Sequence, residues 1–475
     1  METITKQTRK SRISSRIESV RQLWRRIAAR GDGKVVEAGT ELGARQLERI
    51  RRQMRECVNG QGGEISARAR AARLGATYLS SDQAGKRDFL KLLTDEFGPD
   101  PDEVDKAIDA YRSAIDKTAQ FTAEGKLREA LRSPRSVILT QFNALPSGVK
   151  FLVDLRADVL RFAKSDASLS VLDHELKGLL AGWFDVGFLE LQRITWSSPA
   201  ALLEKLISYE AVHEIRSWND LRNRLDSDRR CYAYFHPSMP QEPLIFVEVA
   251  LTDYIAGNVQ ALLDESAPKQ DPRDATTAVF YSISSTQSGL RGISFGNFLI
   301  KRVADDLAHD LPHIKTFVTL SPIPLFRAWL DSGDALVAGF NLPAAEQKAF
   351  ETAAGKPFNI AAVREILKTD GWHTSTAVVD ALREPLLRLC ARYLAQARIG
   401  SRPYDPVARF HLGNGARIRR IHWLGDTSKK GLQQSGGLMV NYLYDLSEIE
   451  ENHERFARDG RVAMSPEVRK LLKAP

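Results

Sequence analysis

The residues with a chemistry of their own are concentrated between Ala278 and Leu325. Within that stretch, Gln287 to Asn297 carries three glycines, Gly289, Gly292 and Gly296, with polar residues between them. Glycines let a backbone come close to an anion, and a helix starting just after them offers unpaired N–H groups and the positive end of its dipole. The spacing is not that of a P-loop, because Gly-Lys-Ser/Thr is missing, and it is not a dinucleotide fingerprint. Taken alone, such a loop is either an anion cradle or a tight turn. Further on, Ser321 ends a buried run and is stiffened by Pro322 and Pro324. Read alone, it belongs to a strand-ending turn. His411 is one of nine histidines and precedes Gly413-Asn414-Gly415. An imidazole can supply a proton near neutral pH, but one histidine is also an ordinary packed or surface residue. Tyr444, Tyr442 and Asn441 read as core aromatics with an amide among them.

The elements that position these residues follow from periodicity. Val279 to Ser284 is β-branched and aromatic, as a strand should be, and Lys315 to Leu320 reads as a second buried strand. Between them Phe298, Leu299, Arg302, Val303, Asp306 and Leu307 keep a helical period, which Pro312 ends. Cys231 to His236 alternates, and Leu244 to Leu251 is a strong strand. Val407 to Leu412 and Ala416 to Leu424 read as strands joined by Asn-Gly, a hairpin signal. Ser435 to Tyr444 closes the set, with Leu438 to Tyr442 at its centre, and the residues after Ile449 read as a charged tail. Before Leu189 the apolar spacing is almost entirely three and four, with caps at Asp82, at Asp100-Pro101 and at Ser133-Pro134. The expected architecture is therefore α plus α/β. Residues 1–190 form a helical bundle serving subunit contact, and 191–475 form a mixed α/β domain carrying the chemistry.

Composition narrows the class. The chain has 475 residues, 43% hydrophobic and 27% charged, as in ordinary globular proteins. No apolar run approaches the ~20 residues that span a bilayer. Three separated cysteines argue against a disulfide framework or a thiolate metal cluster and suit a reducing cytoplasm. The acidic and histidine residues of the helical half lack ligand spacing, so no metal is expected. The net charge of +8 lies wholly in residues 1–60, which hold 15 Lys/Arg and 7 Asp/Glu. The remainder is neutral, so no nucleic-acid-binding body is described. The first thirty residues are rich in Arg and Ser, as a mitochondrial transit peptide is. The plainer reading is an unstructured start leading into a basic amphipathic helix with Ile17, Val20, Leu23, Trp24 and Ile27 on its apolar side.

Five strings together resemble the malonyl-CoA decarboxylase family. They are F-Y-S-I-S-x-T-Q-x-G-L-x-G (280–292), F-L-I-K-R-V (298–303), L-S-P-I-P (320–324), D-P-V-A-x-F-H-L-x-N-G-A (405–416) and G-L-M-x-N-Y-x-Y (437–444). The resemblance implies a catalytic half similar to the GNAT acyl-CoA transferase fold, behind a helical domain used in oligomerisation. It places the acyl-CoA-binding loop on Arg291, Gly292, Ile293, Ser294, Phe295, Gly296 and Asn297. It places the catalytic serine, as proton acceptor, on Ser321 and the catalytic histidine on His411, with Tyr444 near the reacting group. Ser294 stands where some members carry an acidic residue.

The implied reaction converts malonyl-CoA to acetyl-CoA and CO2. The bond from C2 to the carboxylate breaks, the electrons enter the thioester, and the enolate is protonated at C2. The thioester is its own electron sink, so no cofactor is expected. The implied partners are malonyl-CoA and further copies of the chain, as a dimer or tetramer. Two rivals share the cofactor loop: an acyl-CoA N-acyltransferase, and a non-catalytic acyl-CoA-binding protein.

Overall fold

A computed structural model describes residues 18–29, 43–60, 63–293 and 299–473. The chain divides into two compact units. One comprises Met1–Leu189, His236–Glu242 and Gln287–Ser294; the other comprises Glu190–Phe235, Pro243–Thr286 and Phe295–Pro475.

The first unit is helical. After a helix over 18–28 come Ala44–Val58, Glu64–Ser80, Gln83–Glu96, Pro101–Arg112, Lys117–Ala130, Pro134–Asn143, Gly148–Phe162 and Ser170–Trp183. Their starts are set by side chains that satisfy otherwise unpaired N–H groups. Asp82 accepts from Gly85 N, and Asp100 accepts from Asp102 N ahead of Pro101 at the first helical position. The basic 18–28 helix is held by Trp24, which is fully buried. Its ring stacks on Phe142 and meets Phe151 edge-on, and its Nε1 donates to Pro146 O at 2.9 Å. Leu23 is 40% exposed, so the buried side of this helix is narrower than the expected stripe. Ile17 lies outside the described residues.

The second unit is built on a mixed sheet. Its strands are β1 (Glu190–Ile194), β2 (Arg229–Phe235), β3 (Ile245–Thr252), β4 (Thr277–Ser285), β5 (Thr316–Thr319) and β6 (Ser321–Pro322). A separate ribbon follows, β7 (Arg398–Ile399) with β8 (Arg402–Pro403), and then β9 (Arg417–His422) and β10 (Met439–Tyr444) complete the sheet. The order is β1-β2-β3-β4-β5-β10-β6, with β9 on the other edge of β10. All neighbours are antiparallel except β4 and β5. Every residue of β3 is buried, because helices and loops cover both faces. On one face Cys231, Ala233, Phe235 and Phe246 pack with Leu203, Leu206 and Leu221. Further along the sheet Ala250, Val279, Tyr281, Val318, Leu320 and Met439 pack with Val259 and Leu262. The helical half followed by the mixed α/β half is the expected fold class.

Two expectations are corrected. Residues 407–412 are not a strand: Pro406–Gly413 is a helix. The charged tail is not a tail either, since Ile449–Asp459 and Pro466–Lys473 are helices that bury Ile449 and Val468. Ile418 N donates to Ala463 O and Ser465 N to Ile418 O, which fastens this segment to β9. Strand β1 arises from the aromatic segment around Leu189, which the period did not mark as a strand.

Gly289 has a packing reason within the helical unit. A Cβ there would stand 1.8 Å from the carbonyl oxygen of Val153, and Arg156 Nη1 already donates to Gly289 O at 2.6 Å. Gly289→Ala should therefore force the Ser288–Leu290 turn off the Gly148–Phe162 helix. We expect a loss of about 1–3 kcal/mol or more in chemical unfolding, against roughly 1 kcal/mol for Gly292→Ala, where only a left-handed φ of +76° is opposed. Equal small effects would contradict this packing account.

Candidate active site

Thr319, at the end of β5, and Ser321, at the start of β6, are two residues apart and share a face of the sheet. Strand β10 runs antiparallel to both, with Tyr444 opposite Phe317 and Val440 opposite Ser321. This unbroken register sets Tyr442 opposite Thr319. At that point the backbone ladder is replaced by side chains. Tyr442 N donates to Thr319 Oγ1 at 3.1 Å, and Asn441 Nδ2 donates to Thr319 O at 2.7 Å. Asn441 Nδ2 also donates to Ala256 O at 3.1 Å, while its Oδ1 meets His422 Nε2. Leu320 N turns to Phe280 O on β4. Buried main-chain groups need partners, and here each receives one while the strand breaks at the candidate serine.

The histidine reaches that break on the Pro406–Gly413 helix. Asp405 caps it, accepting from Val407 N at 2.9 Å and Ala408 N at 2.8 Å, with Pro406 at the first helical position. Tyr393 OH donates to the other oxygen of Asp405 at 3.0 Å. His411 falls in the last turn and points to the sheet. Its Nε2 lies 3.1 Å from Ser321 Oγ, and its Nδ1 lies 2.8 Å from Tyr444 OH. The imidazole stacks on the Tyr442 ring at 4.5 Å. Ser321 Oγ donates to Thr319 Oγ1 at 2.8 Å.

The line Tyr444–His411–Ser321–Thr319 is buried throughout, with 1%, 2%, 5% and 0% exposure. Desolvation disfavours the charged form of each group. It pushes the His411 imidazole down to about 3 and the Tyr444 phenol well above its ordinary value. The histidine is therefore neutral at physiological pH. A neutral imidazole beside a hydroxyl can hold or pass a proton but brings no fixed positive charge.

Three expected site residues, Ser321, His411 and Tyr444, thus meet in one hydrogen-bonded line. The Tyr444 hydroxyl, expected near the reacting group, is engaged by His411. Of the expected loop, Arg291 is exposed, Gly292 is left-handed and Ile293 is buried; Ser294, Phe295, Gly296 and Asn297 lie outside the described residues. Thr319 and Asp405 were not singled out in the sequence. Thr319 had a signal in its i−2 spacing from Ser321, and Asp405-Pro406 is a helix-start pair. His313 is apart from this line, with Nε2 2.9 Å from Pro272 O.

A serine and an imidazole in contact, buried and held from behind, are the parts of a proton-handling enzyme site. Residues 187–475 match the malonyl-CoA decarboxylase C-terminal domain, and residues 97–184 match the N-terminal domain of the same family. A mitochondrial malonyl-CoA decarboxylase of Anser anser anser is 37% identical over 407 residues, covering 82% of this chain and 81% of that protein. Crystal structures of malonyl-CoA decarboxylases from Rhodopseudomonas palustris and Agrobacterium vitis are 43% and 44% identical. They superpose with TM-scores of 0.81 and 0.80, each covering 89% of this chain and 99% of the solved one. The chain belongs to the malonyl-CoA decarboxylase family.

The buried Asp405 carries a pH prediction. Burial raises its carboxyl to about 6 from an ordinary 3.8, against the lowering effect of its capping N–H donors. Between those values the folded state holds a proton that the unfolded state has released, so stability falls as pH rises from about 4 to about 6. Asp405→Asn keeps the cap acceptor and removes the titration. Urea unfolding should show the variant losing this slope, of order 1 kcal/mol per pH unit, and being no less stable than the parent at pH 7. An unchanged slope would remove Asp405 as its source.

Proposed function

We propose that this protein decarboxylates malonyl-CoA, releasing CO2 and acetyl-CoA through an enolate protonated at C2. The observation carrying this reading is the Ser321–His411 contact at the strand break, in a chain of this family. The acyl tip lies against Ser321, with the scissile bond perpendicular to the thioester plane so that its electrons enter the carbonyl. The Ser321 hydroxyl hydrogen-bonds the thioester oxygen or the carboxylate, where charge shifts during the reaction. His411 is the source of the proton for C2, and Tyr444 orients His411 through Nδ1. The dry surroundings favour the step that turns a carboxylate into neutral CO2. The thioester receives the electron pair, so the reading assigns no metal or organic cofactor. Backbone amides of 291–297, leading to the Leu299–Asp310 helix, are the proposed hold on the CoA pyrophosphate.

The finer biology is part of the same proposal. Helices Pro101–Arg112 and Lys117–Ala130 pair with each other and bury only Ala107 and Ala123 among their residues. Ile115, Phe121 and Leu131 are 94%, 70% and 53% exposed nearby. An apolar surface of this kind supports a homo-oligomer, dimer or tetramer, formed through the helical half. The protein is read as cytoplasmic, acting on malonyl-CoA in fatty acid metabolism, with its three cysteines free and buried. The goose relative's name says mitochondrial, and the Arg/Ser-rich start makes that compartment the alternative. No helix among the described residues is long and apolar enough to cross a membrane.

Incubation with malonyl-CoA alone is the direct assay. CO2 and acetyl-CoA should form without an amine acceptor; an acceptor requirement would mark an N-acyltransferase, and no turnover a binding protein. His411→Ala should lose more than about tenfold in kcat with CoA affinity little changed, and full activity would end its assignment. Light scattering should show Ile115→Glu/Phe121→Glu at lower mass than the parent; an unchanged mass would take the helix pair out of the interface.

A further inference from the structure

The hydrogen bonds of the buried line have one consistent direction. Ser321 has a single proton, and the geometry makes it the donor to Thr319 Oγ1. Its 3.1 Å contact with His411 must then use a proton on Nε2. A neutral imidazole with its proton on Nε2 has only an acceptor at Nδ1. The Tyr444 hydroxyl, 2.8 Å away, fills it. Every contact in the line then holds one proton.

The reverse arrangement leaves the Tyr444 proton unplaced, as the forward one leaves that of Thr319, so the Ser321–Thr319 contact decides between them. If Ser321 donated to Nε2, Nδ1–H would donate to Tyr444. The buried Tyr444 proton would then have no acceptor, because Nδ1 is its one hydrogen-bond partner among the described residues. The 2.8 Å contact would then need the proton of Thr319, against the geometry, which makes Ser321 the donor. The low basicity that burial gives His411 agrees with a neutral ring but does not choose the tautomer.

We infer that Thr319 is a positioning residue: its hydroxyl draws the Ser321 proton and so fixes the direction Tyr444→His411→Ser321→Thr319, with the resting histidine protonated on Nε2. The inference rests on the decarboxylase reading for its chemical consequence. When substrate binds, the Ser321 O–H leaves Thr319 for the acyl tip. As the C2–carboxylate bond breaks, its electron pair enters the thioester and CO2 departs. C2 then takes the Ser321 proton, Ser321 takes that of Nε2, and Nδ1 takes that of Tyr444. The negative charge that began on the substrate carboxylate passes to the Tyr444 oxygen, where burial disfavours it, so a proton from water is taken up in the same turnover and restores the line. The serine acts here as a donor refilled from behind, and His411 never has to become positively charged in its buried place.

Thr319 is itself held without slack. Its Oγ1 also accepts from Tyr442 N, and its carbonyl is bound by Asn441. Asn441 and Tyr442 therefore set where the Thr319 hydroxyl sits, and Thr319 sets where the Ser321 proton points.

The first test needs no turnover. The full-length protein, labelled with 15N-histidine, is compared with His411→Gln so that the His411 signals are identified by difference. A protonated Nε2 and an unprotonated, acceptor-type Nδ1 are expected between pH 6 and 8; a protonated Nδ1 overturns the inference whatever the activity. The second test is kinetic. Thr319→Ser should keep kcat within about twofold, whereas Thr319→Val should lower it roughly tenfold with KM nearly unchanged, as an effect on the chemical step alone. Near-parent kcat in a folded Thr319→Val protein, or no rescue by serine, would also overturn it. If the parent itself does not decarboxylate malonyl-CoA, the function falls while the spectroscopic result still decides the wiring.

Discussion

At Thr319 the sheet exchanges a backbone ladder bond for two side-chain bonds, and the candidate chemistry is placed by that exchange. An unbroken strand from Thr316 to Pro322 would use its N–H and C=O groups alternately on β4 and on β10. On the β10 side, however, the Asn441 amide takes the Thr319 carbonyl and the Thr319 hydroxyl takes the Tyr442 N–H, while Leu320 N keeps to the β4 ladder on Phe280 O. Thr319 O, Tyr442 N and Leu320 N each keep a partner, which limits the cost of the break. It leaves Ser321 rigid between a threonine and the helix that delivers His411.

The second constraint is dryness. A histidine in water would be partly charged at neutral pH, but this one is covered by its own helix, by β10 and by the Tyr442 ring. Desolvation keeps it neutral, and its two nitrogens then need opposite partners, one donor and one acceptor. Ser321 and Tyr444 occupy those places. A decarboxylation starts with one negative charge on the substrate and ends with a neutral gas, so a site without a fixed counter-charge does not hold the carboxylate back.

Much of the site was legible in the sequence, for unequal reasons. β-Branched runs marked β3, β4 and β5, because strands buried on both faces have no polar alternation to confuse. Caps and three-to-four spacing marked the helical half. The hairpin expected around Asn414 failed because Asn-Gly is a turn signal in either context. Asp405-Pro406, a helix start five residues ahead of His411, was the stronger local constraint, and the three residues 413–415 end a helix rather than join two strands. The role of the glycines was also mixed. Gly289 answers to Val153 and Gly292 to its φ, both facts of packing that spacing cannot show. Ser321 and His411 were named from the family resemblance. Their 3.1 Å contact joins residues 90 apart in the chain, and no local pattern reports such a distance.

The central claim is that the acyl end of the thioester reacts where Ser321 and His411 meet. A crystal structure with a malonyl-CoA analogue that cannot lose its carboxylate tests this most directly. The account predicts the carbon equivalent to C2 at roughly 3–3.5 Å from Ser321 Oγ or His411 Nε2, the separation of a reacting pair, with the carboxylate out of the thioester plane. An analogue whose acyl end lies elsewhere in the α/β unit, with the serine and histidine untouched, would contradict it.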